Sequence, residues 1–123
     1  MRRDNIEFMV GWLEALRHDD RERLLATLDP GVVWQGLEDE WRCSGPDEVV
    51  GVFTAQRDQA SELDALELIG AERHAILHAR GGGALASELE DGIYNVFAIE
   101  DGCIVRIDDY ADRGSALAAA GLD

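Results

Sequence analysis

Two adjacent carboxylates, Asp108 and Asp109, stand near the end of a strand-like segment that runs from Cys103 to Ala111. Side chains alternate between the two faces of a strand, so the two aspartates must point in opposite directions. Asp109 shares its face with Val105 and Ile107, which places it on the apolar, inward side. Because burial disfavours the charged form, a carboxyl group there has a raised pKa and suits general acid or base catalysis. We therefore predict Asp109 as a catalytic residue, with a structural carboxylate that bonds a neighbouring strand as the alternative.

Two histidines occur in a second predicted strand, 73–80. His74 and His78 would lie about 13 Å apart at ~3.3 Å per residue, too far for one metal ion, and no metal site is predicted. His78 is expected to face Asp109 and to act as its catalytic partner, since a carboxylate can orient an imidazole and tune its pKa. Arg80 on the same face is expected to neutralise Asp109 or to bind an acidic ligand.

A set of amide and aromatic side chains completes the predicted pocket. Asn95 is a lone polar residue on an apolar strand face, and its amide can donate to a substrate carbonyl. Phe97 on the same face is also expected to contact the substrate. Trp34, Trp41 and Phe53 are expected to line the wall and the mouth. Such aromatic walls favour a small, flat, apolar ligand, which can be polycyclic. For Phe53, ordinary core packing is the alternative explanation.

The composition excludes several classes of partner. The chain has 123 residues, of which 46% are hydrophobic, and this predicts one globular domain over 1–123. Eleven basic against 26 acidic residues leave a formal charge of −15. A polyanion of this strength should repel nucleic acid and anionic membrane surfaces.

The two cysteines and the N-terminus indicate the compartment. Cys43 and Cys103 have no CxxC spacing, so free thiols in a reducing compartment are expected, with a single disulfide as the alternative. No apolar segment follows Arg2 and Arg3, which argues against a signal peptide. We therefore expect a cytoplasmic protein without a membrane span or a cofactor.

Hydrophobic periodicity gives the order of the elements. It predicts helices over 4–18, from Asp19 to the Asp29-Pro30-Gly31 stop, and from Gly45 onward, with a short strand at 32–35. From Leu63 the period changes to 2, and the predicted strands are 63–71, 73–80, 88–100 and 103–111, followed by a helix over 115–120. This order predicts an α+β fold: a cone-shaped, strongly curved, mainly antiparallel sheet with three N-terminal helices on its concave face and a short C-terminal helix. The space between helices and sheet is the expected pocket.

Three segments carry a resemblance to a known family: Asp29-Pro30-Gly31-Val32-Val33-Trp34, Gly45-Pro46-Asp47-Glu48-Val49, and the closing strand from Asp101 to Arg113. Together they resemble the SnoaL-like group of the nuclear transport factor 2-like superfamily. The resemblance implies the same α+β fold over nearly the whole chain. It also implies a homodimer through the outer sheet face, where Arg106, Asp108 and Tyr110 lie. In similar polyketide cyclases and limonene epoxide hydrolases, an aspartate stands at the position that Asp109 matches.

The same resemblance leaves the reaction open, because the superfamily also includes isomerases, dehydratases and non-catalytic domains. Similar epoxide hydrolases have arginine and aspartate where this chain has His78 and Arg80, and tyrosine and asparagine where it has Trp34 and Gly36. The general-base aspartate of similar ketosteroid isomerases is missing from the first strand. Two hypotheses follow. One is an enzyme without cofactor that moves a proton on an apolar, carbonyl- or epoxide-bearing metabolite; the other is a non-catalytic ligand-binding or dimerisation domain.

Overall fold

The computed structural model describes residues 2–59, 63–81 and 93–122. The helices are α1 (Arg2–Arg17), α2 (Arg21–Ala26), α3 (Pro46–Gln59) and α4 (Arg113–Ala119). The strands are β1 (Leu28–Gln35), β2 (Arg42–Ser44), β3 (Leu63–Gly70), β4 (His74–Gly81), β5 (Ile93–Glu100) and β6 (Cys103–Tyr110). The start of the predicted 88–100 strand lies outside the described residues.

One mixed sheet organises the fold, in the order β2-β1-β6-β5-β4-β3. The β1–β6 pair is parallel and the other four pairs are antiparallel. Register shifts interrupt the β1–β6, β3–β4 and β5–β6 pairs, and such irregularities bend a sheet. The predicted α+β class with a curved, mainly antiparallel sheet is confirmed.

Helices pack on both faces of the sheet. Helices α1 and α3 pack on the inner face, α1 against β3 and β4 and α3 against β1. Helix α4 packs on the outer face through Ala116 and its C-cap residue Ala120, which belong to one buried cluster with Ile76, Tyr94 and Val96. Consequently β4 and β5 carry buried side chains on both sides. No helix of the described residues is both long enough and apolar enough to cross a membrane.

The boundary between α2 and β1 differs from the prediction. Asp20, rather than Asp19, caps α2 and accepts from the Arg23 N–H at 3.2 Å, while Asp19 takes a positive φ of 57°. The Asp29-Pro30-Gly31 segment lies inside β1, at the irregularity where Leu28 pairs with Ile104 but Val33 pairs with Arg106. The segment therefore interrupts a strand instead of ending a helix.

A tight hairpin sets the register of β6 against β5. Asp101 and Gly102 both have positive φ, 52° and 75°, as a two-residue turn of this kind requires. A bulge follows at Val105, because Ile99 pairs with Ile104 while Ala98 pairs with Arg106. Beyond the bulge, Asn95 and Asp109 stand directly opposite each other.

Candidate functional site

Asp109 lies at the centre of the site, on a strand that has β1 on one side and β5 on the other. The Trp34 Nε1–H of β1 donates to Asp109 Oδ1 at 2.8 Å. The Asn95 amide of β5 donates to the same oxygen at 2.6 Å. The prediction that Asp109 points inward is confirmed, and its catalytic role stays a prediction.

The two carboxylate oxygens of Asp109 have different surroundings. Both hydrogen bonds from described residues go to Oδ1, and none goes to Oδ2. A carboxylate oxygen can accept bonds on two lone pairs, so Oδ2 keeps its full accepting capacity. Since Asp109 also lines a cavity, Oδ2 is the atom that this arrangement leaves for a ligand.

The pKa of Asp109 is raised from 3.8 to about 6. Burial is the main cause, because it penalises the charged form. The hydrogen bonds from Trp34 and Asn95 lower the pKa, and the neighbouring charge of Asp108 raises it. Near neutral pH, both the protonated and the ionised forms of Asp109 are therefore populated.

A cavity of about 220 Å³ opens beside Asp109. Its other lining residues come from β1, β2, α3 and the turn between the first two strands, and they are Trp34, Gly36, Trp41, Arg42, Cys43 and Val52. The volume is below the roughly 300–1,000 Å³ of sites for drug-sized ligands. The cavity therefore suits a small ligand with an apolar ring.

Trp34 is held in place by a layered group of aromatic rings. It stacks on Phe53 with ring centroids 4.1 Å apart and an interplanar angle of 11°. Phe53 in turn contacts Trp12 edge-on at 4.9 Å and Phe97 at 6.0 Å. Phe53 and Phe97 were both predicted to bind substrate, but neither lines the cavity: Phe53 lies behind Trp34, and Phe97 lies behind Phe53 and is fully buried.

The turn from Gly36 to Trp41 fixes the mouth of the cavity. The Gly36 N–H donates to the Trp41 carbonyl at 2.6 Å. The Gln35 amide lies 3.0 to 3.5 Å from four carbonyl oxygens of the same turn. Trp41 keeps 42% of its surface exposed, so the turn presents an aromatic ring to solvent at the entrance.

Gly36→Ala is expected to displace Trp41 and to weaken binding of a ring-bearing ligand. A Cβ at Gly36 would lie 2.8 Å from the Trp41 Cβ, closer than such atoms approach, and 3.0 Å from the Trp41 carbonyl oxygen, a tight contact. Quenching of tryptophan fluorescence by 2-naphthol measures the affinity. Gly51→Ala is the matched control, because nothing lies within 4 Å of its added methyl group. Equal affinities of the two variants would contradict the role given to this turn.

His78 does not face Asp109, and that prediction is wrong. Its ring stacks on Tyr94 at 4.0 Å, and its Nδ1 lies 3.5 Å from Glu67 Oε1. Tyr94 precedes Asn95 on β5, so the two side chains point to opposite faces of the sheet. His78 therefore lies on the outer face, where Arg113 of α4 also bonds Glu67. The side chain of Arg80, predicted as a substrate-binding group, lies outside the described residues.

The sequence interpretation missed Cys43. This half-buried free thiol lines the cavity because it stands opposite Trp34 in the β1–β2 pair. Burial, followed by the charges of Glu48 and Asp109, raises its pKa, so the thiol stays protonated. Reading 41–43 as a second strand of a hairpin would have placed Cys43 beside Trp34.

The outer face of β6 carries the other aspartate. Asp108 pairs with Arg106 at 2.9 Å, which confirms that the two adjacent carboxylates point to opposite faces. Within the described residues, no group of three His, Cys, Asp or Glu side chains could hold a metal ion. A homodimer through this face stays a prediction.

Comparison with solved structures places this geometry in a known fold. A candidate polyketide cyclase from Sinorhizobium meliloti superposes with a TM-score of 0.64 at 20% identity, covering 89% of this chain and 99% of that one. A nuclear transport factor 2-like protein from Burkholderia xenovorans gives 0.67 at 16% identity, covering 98% and 97%. A de novo designed protein with a curved β-sheet gives 0.67 at 12% identity, covering 99% and 96%.

The chain therefore has the nuclear transport factor 2-like fold, as its sequence predicted. No family model matches the sequence, and no curated protein matches it significantly. At these identities the structural likeness establishes the fold alone. A fold does not determine a reaction; the residues of the site do.

Proposed function

We propose that this protein is an enzyme without cofactor that moves a proton on a small, apolar, carbonyl- or epoxide-bearing ligand, with Asp109 as general acid or base. One observation carries the proposal: the buried carboxyl of Asp109 lines a cavity and leaves Oδ2 unbonded by the described residues. Buried carboxyl groups with a shifted pKa in a cavity are concentrated at catalytic sites.

The acidity of Asp109 supports this role. Proton transfer is most efficient when the pKa of the catalytic group is near the working pH, and here it is about 6. At pH 7 the carboxylate is the major form, so we expect Asp109 to act as a base. The candidate polyketide cyclase among the structural neighbours is consistent with chemistry on carbonyl compounds.

The proposed proton transfer needs no reagent besides Asp109 and the ligand. Asp109 Oδ2 accepts a proton from the carbon beside a carbonyl group, and the C–H electron pair forms the C=C bond of the enolate. The carbonyl π electrons move to oxygen. Return of the proton from Oδ2 to carbon restores the carboxylate, at the same carbon in exchange or at another in isomerisation.

Hydrogen exchange provides the test. The protein is expected to catalyse exchange of the α-hydrogens of 2-tetralone in D₂O, followed by proton NMR, or hydrolysis of indene oxide, followed by chromatography. Asp109→Asn should lower the rate by about 10²–10⁴-fold, the usual contribution of an acid–base group. Asp108→Asn removes the same charge on the outer face and should keep the rate. Full activity of Asp109→Asn would overturn the proposal.

The alternative is a non-catalytic ligand-binding domain of the same fold. The outward position of His78 favours it, because Asp109 lacks the imidazole partner that the sequence predicted. Saturable binding of 2-tetralone and indene oxide without exchange or hydrolysis by the unaltered protein would favour this alternative. The homodimer and the cytoplasmic location remain proposals, and sedimentation equilibrium tests the first.

A further inference from the structure

We infer that Trp34 and Asn95 are positioning residues: by holding Oδ1 of Asp109 from both sides, they make Oδ2 the atom that accepts the proton. The inference rests on the proposed function and adds that the two carboxylate oxygens have different roles: Oδ1 is held by hydrogen bonds, and Oδ2 accepts the proton. It also assigns to two neutral side chains an effect on the reaction that needs no contact with the substrate.

The geometry of the two donors supports this division. They come from the two strands that flank β6, and they reach the same oxygen at 2.8 and 2.6 Å. Two bonds from opposite sides fix the rotation of the carboxyl group of Asp109. If both oxygens of the carboxylate accepted hydrogen bonds from the protein, neither would keep its full capacity to accept hydrogen bonds from a ligand.

Each donor is itself held in one position. Trp34 is 5% exposed and is stacked on Phe53, so its Nε1–H cannot turn away without breaking that stack. Asn95 is 8% exposed and stands in register between Asp109 on β6 and Leu77 on β4. Such fixed donors cost little reorganisation when the charge on the carboxylate changes.

The same bonds keep the carboxylate usable as a base. Burial favours the neutral form of Asp109, whereas N–H donors favour the ionised form. The charged and titratable groups near Asp109 are Asp108 beside it on β6 and two residues of the same cavity, Cys43 and Arg42. Among the causes that set the pKa of Asp109, only the hydrogen bonds from Trp34 and Asn95 lower it, so these two donors are what offsets burial.

The test is the titration of Asp109 in variants that lack one donor. Trp34→Phe removes the indole N–H, and Asn95→Leu removes the amide at similar volume. Carbon-13 NMR of aspartate-labelled protein follows the carboxyl group without any substrate. Each variant is expected to raise the titration midpoint from about 6 by about one to two pH units, the value of a hydrogen bond to a charged group.

The pH profile of 2-tetralone exchange is the second readout. Its rising limb should move upward by the same amount as the titration midpoint in each variant. Phe97→Leu is the control, because Phe97 belongs to the same aromatic cluster but not to the bonds around Asp109. It should leave both midpoints in place, and thermal unfolding shows that each variant is folded.

The outcomes separate this inference from the function on which it rests. An unchanged midpoint in both Trp34→Phe and Asn95→Leu overturns the inference, even if the unaltered protein catalyses exchange. Shifted midpoints with matching pH profiles support it. Shifted midpoints in a protein that catalyses no exchange overturn the proposed function and, with it, the role given to Oδ2.

Discussion

Asp109→Asn is expected to stabilise the protein at pH 7 while it removes the activity. The amide has the shape of the carboxyl group and can still accept from Trp34 and Asn95 through its oxygen. It carries no charge, so it avoids the cost of burying an ionised group beside the cavity. Loss of function would then come with a gain in the free energy of unfolding.

The sign of this effect follows from the direction of the pKa change. The pKa of Asp109 is about 6 in the folded protein and 3.8 in an unfolded chain. Between these values the folded state holds a proton that the unfolded state has lost, so the free energy of unfolding falls as the pH rises from about 4 to about 6. At 1.36 kcal/mol for each pH unit, the loss is about 3 kcal/mol and is complete above pH 7.

Urea unfolding at a series of pH values measures this difference. The free energies of the unaltered protein and of Asp109→Asn should agree below about pH 4 and diverge as the pH rises. The difference at pH 7 should approach 3 kcal/mol, less the weakening of two charge-assisted hydrogen bonds. Comparing the two proteins at each pH cancels the remaining carboxylates, whose titration also changes stability.

Asp108→Asn is the control for charge alone. It removes a negative charge one residue away, where the carboxylate pairs with Arg106 in partial contact with solvent. This variant should keep the direction of the pH dependence that Asp109 causes and lower its midpoint only slightly, because the charge of Asp108 is the smallest cause of the raised pKa. If Asp109→Asn instead runs parallel to the unaltered protein across the whole pH range, burial of Asp109 is not the source of a raised pKa.

The inward position of Asp109 could be predicted from the sequence because β6 alternates. Ile107 is fully buried, whereas Arg106 is exposed and pairs with Asp108 on the outer face. The bulge at Val105 could not be predicted from the sequence. Because of it, Ile104 rather than Val105 is buried on the inner face. Because the bulge lies before Arg106, the side chains from Arg106 to Asp109 still alternate between the two faces of the sheet.

The outward position of His78 could not be predicted in the same way. Ala75, Ile76 and Leu77 before it on β4 are all buried, because helices cover the inner face and α4 covers the outer one. A strand buried on both faces has no alternation of polarity. Which face His78 joins is decided by the docking of α4, a contact between distant parts of the chain.

The turn that presents Trp41 is a second feature that could be predicted from the sequence only in part. One bond in it is local, from the Gly36 N–H to the Trp41 carbonyl, and it could have been expected of a glycine after a strand. The amide of Gln35, however, serves several carbonyl groups at once. Such a network depends on the completed path of the backbone, which no residue type or spacing specifies.

Phe53→Ala is expected to have the largest effect on stability of any change near the site. Phe53 is 5% exposed and contacts Trp12, Trp34 and Phe97 with its ring. Removal of a buried aromatic ring leaves a cavity and costs about 3–5 kcal/mol. That is a large part of the roughly 5–15 kcal/mol by which such domains are stable, so the variant should be mostly unfolded well below the melting temperature of the unaltered protein.

A milder change links this packing to the acid–base group. Phe53→Leu should keep the protein folded but remove the flat surface on which Trp34 stacks at 4.1 Å. Trp34 would then hold Oδ1 less well, and the pKa of Asp109 should rise above its value of about 6. Phe97→Leu removes a ring that contacts Phe53 but has no ring contact with Trp34, so it should cost similar stability and leave the pKa in place. Calorimetry and carbon-13 titration of both variants measure the two effects, and equal titration midpoints would show that the stack does not control Asp109.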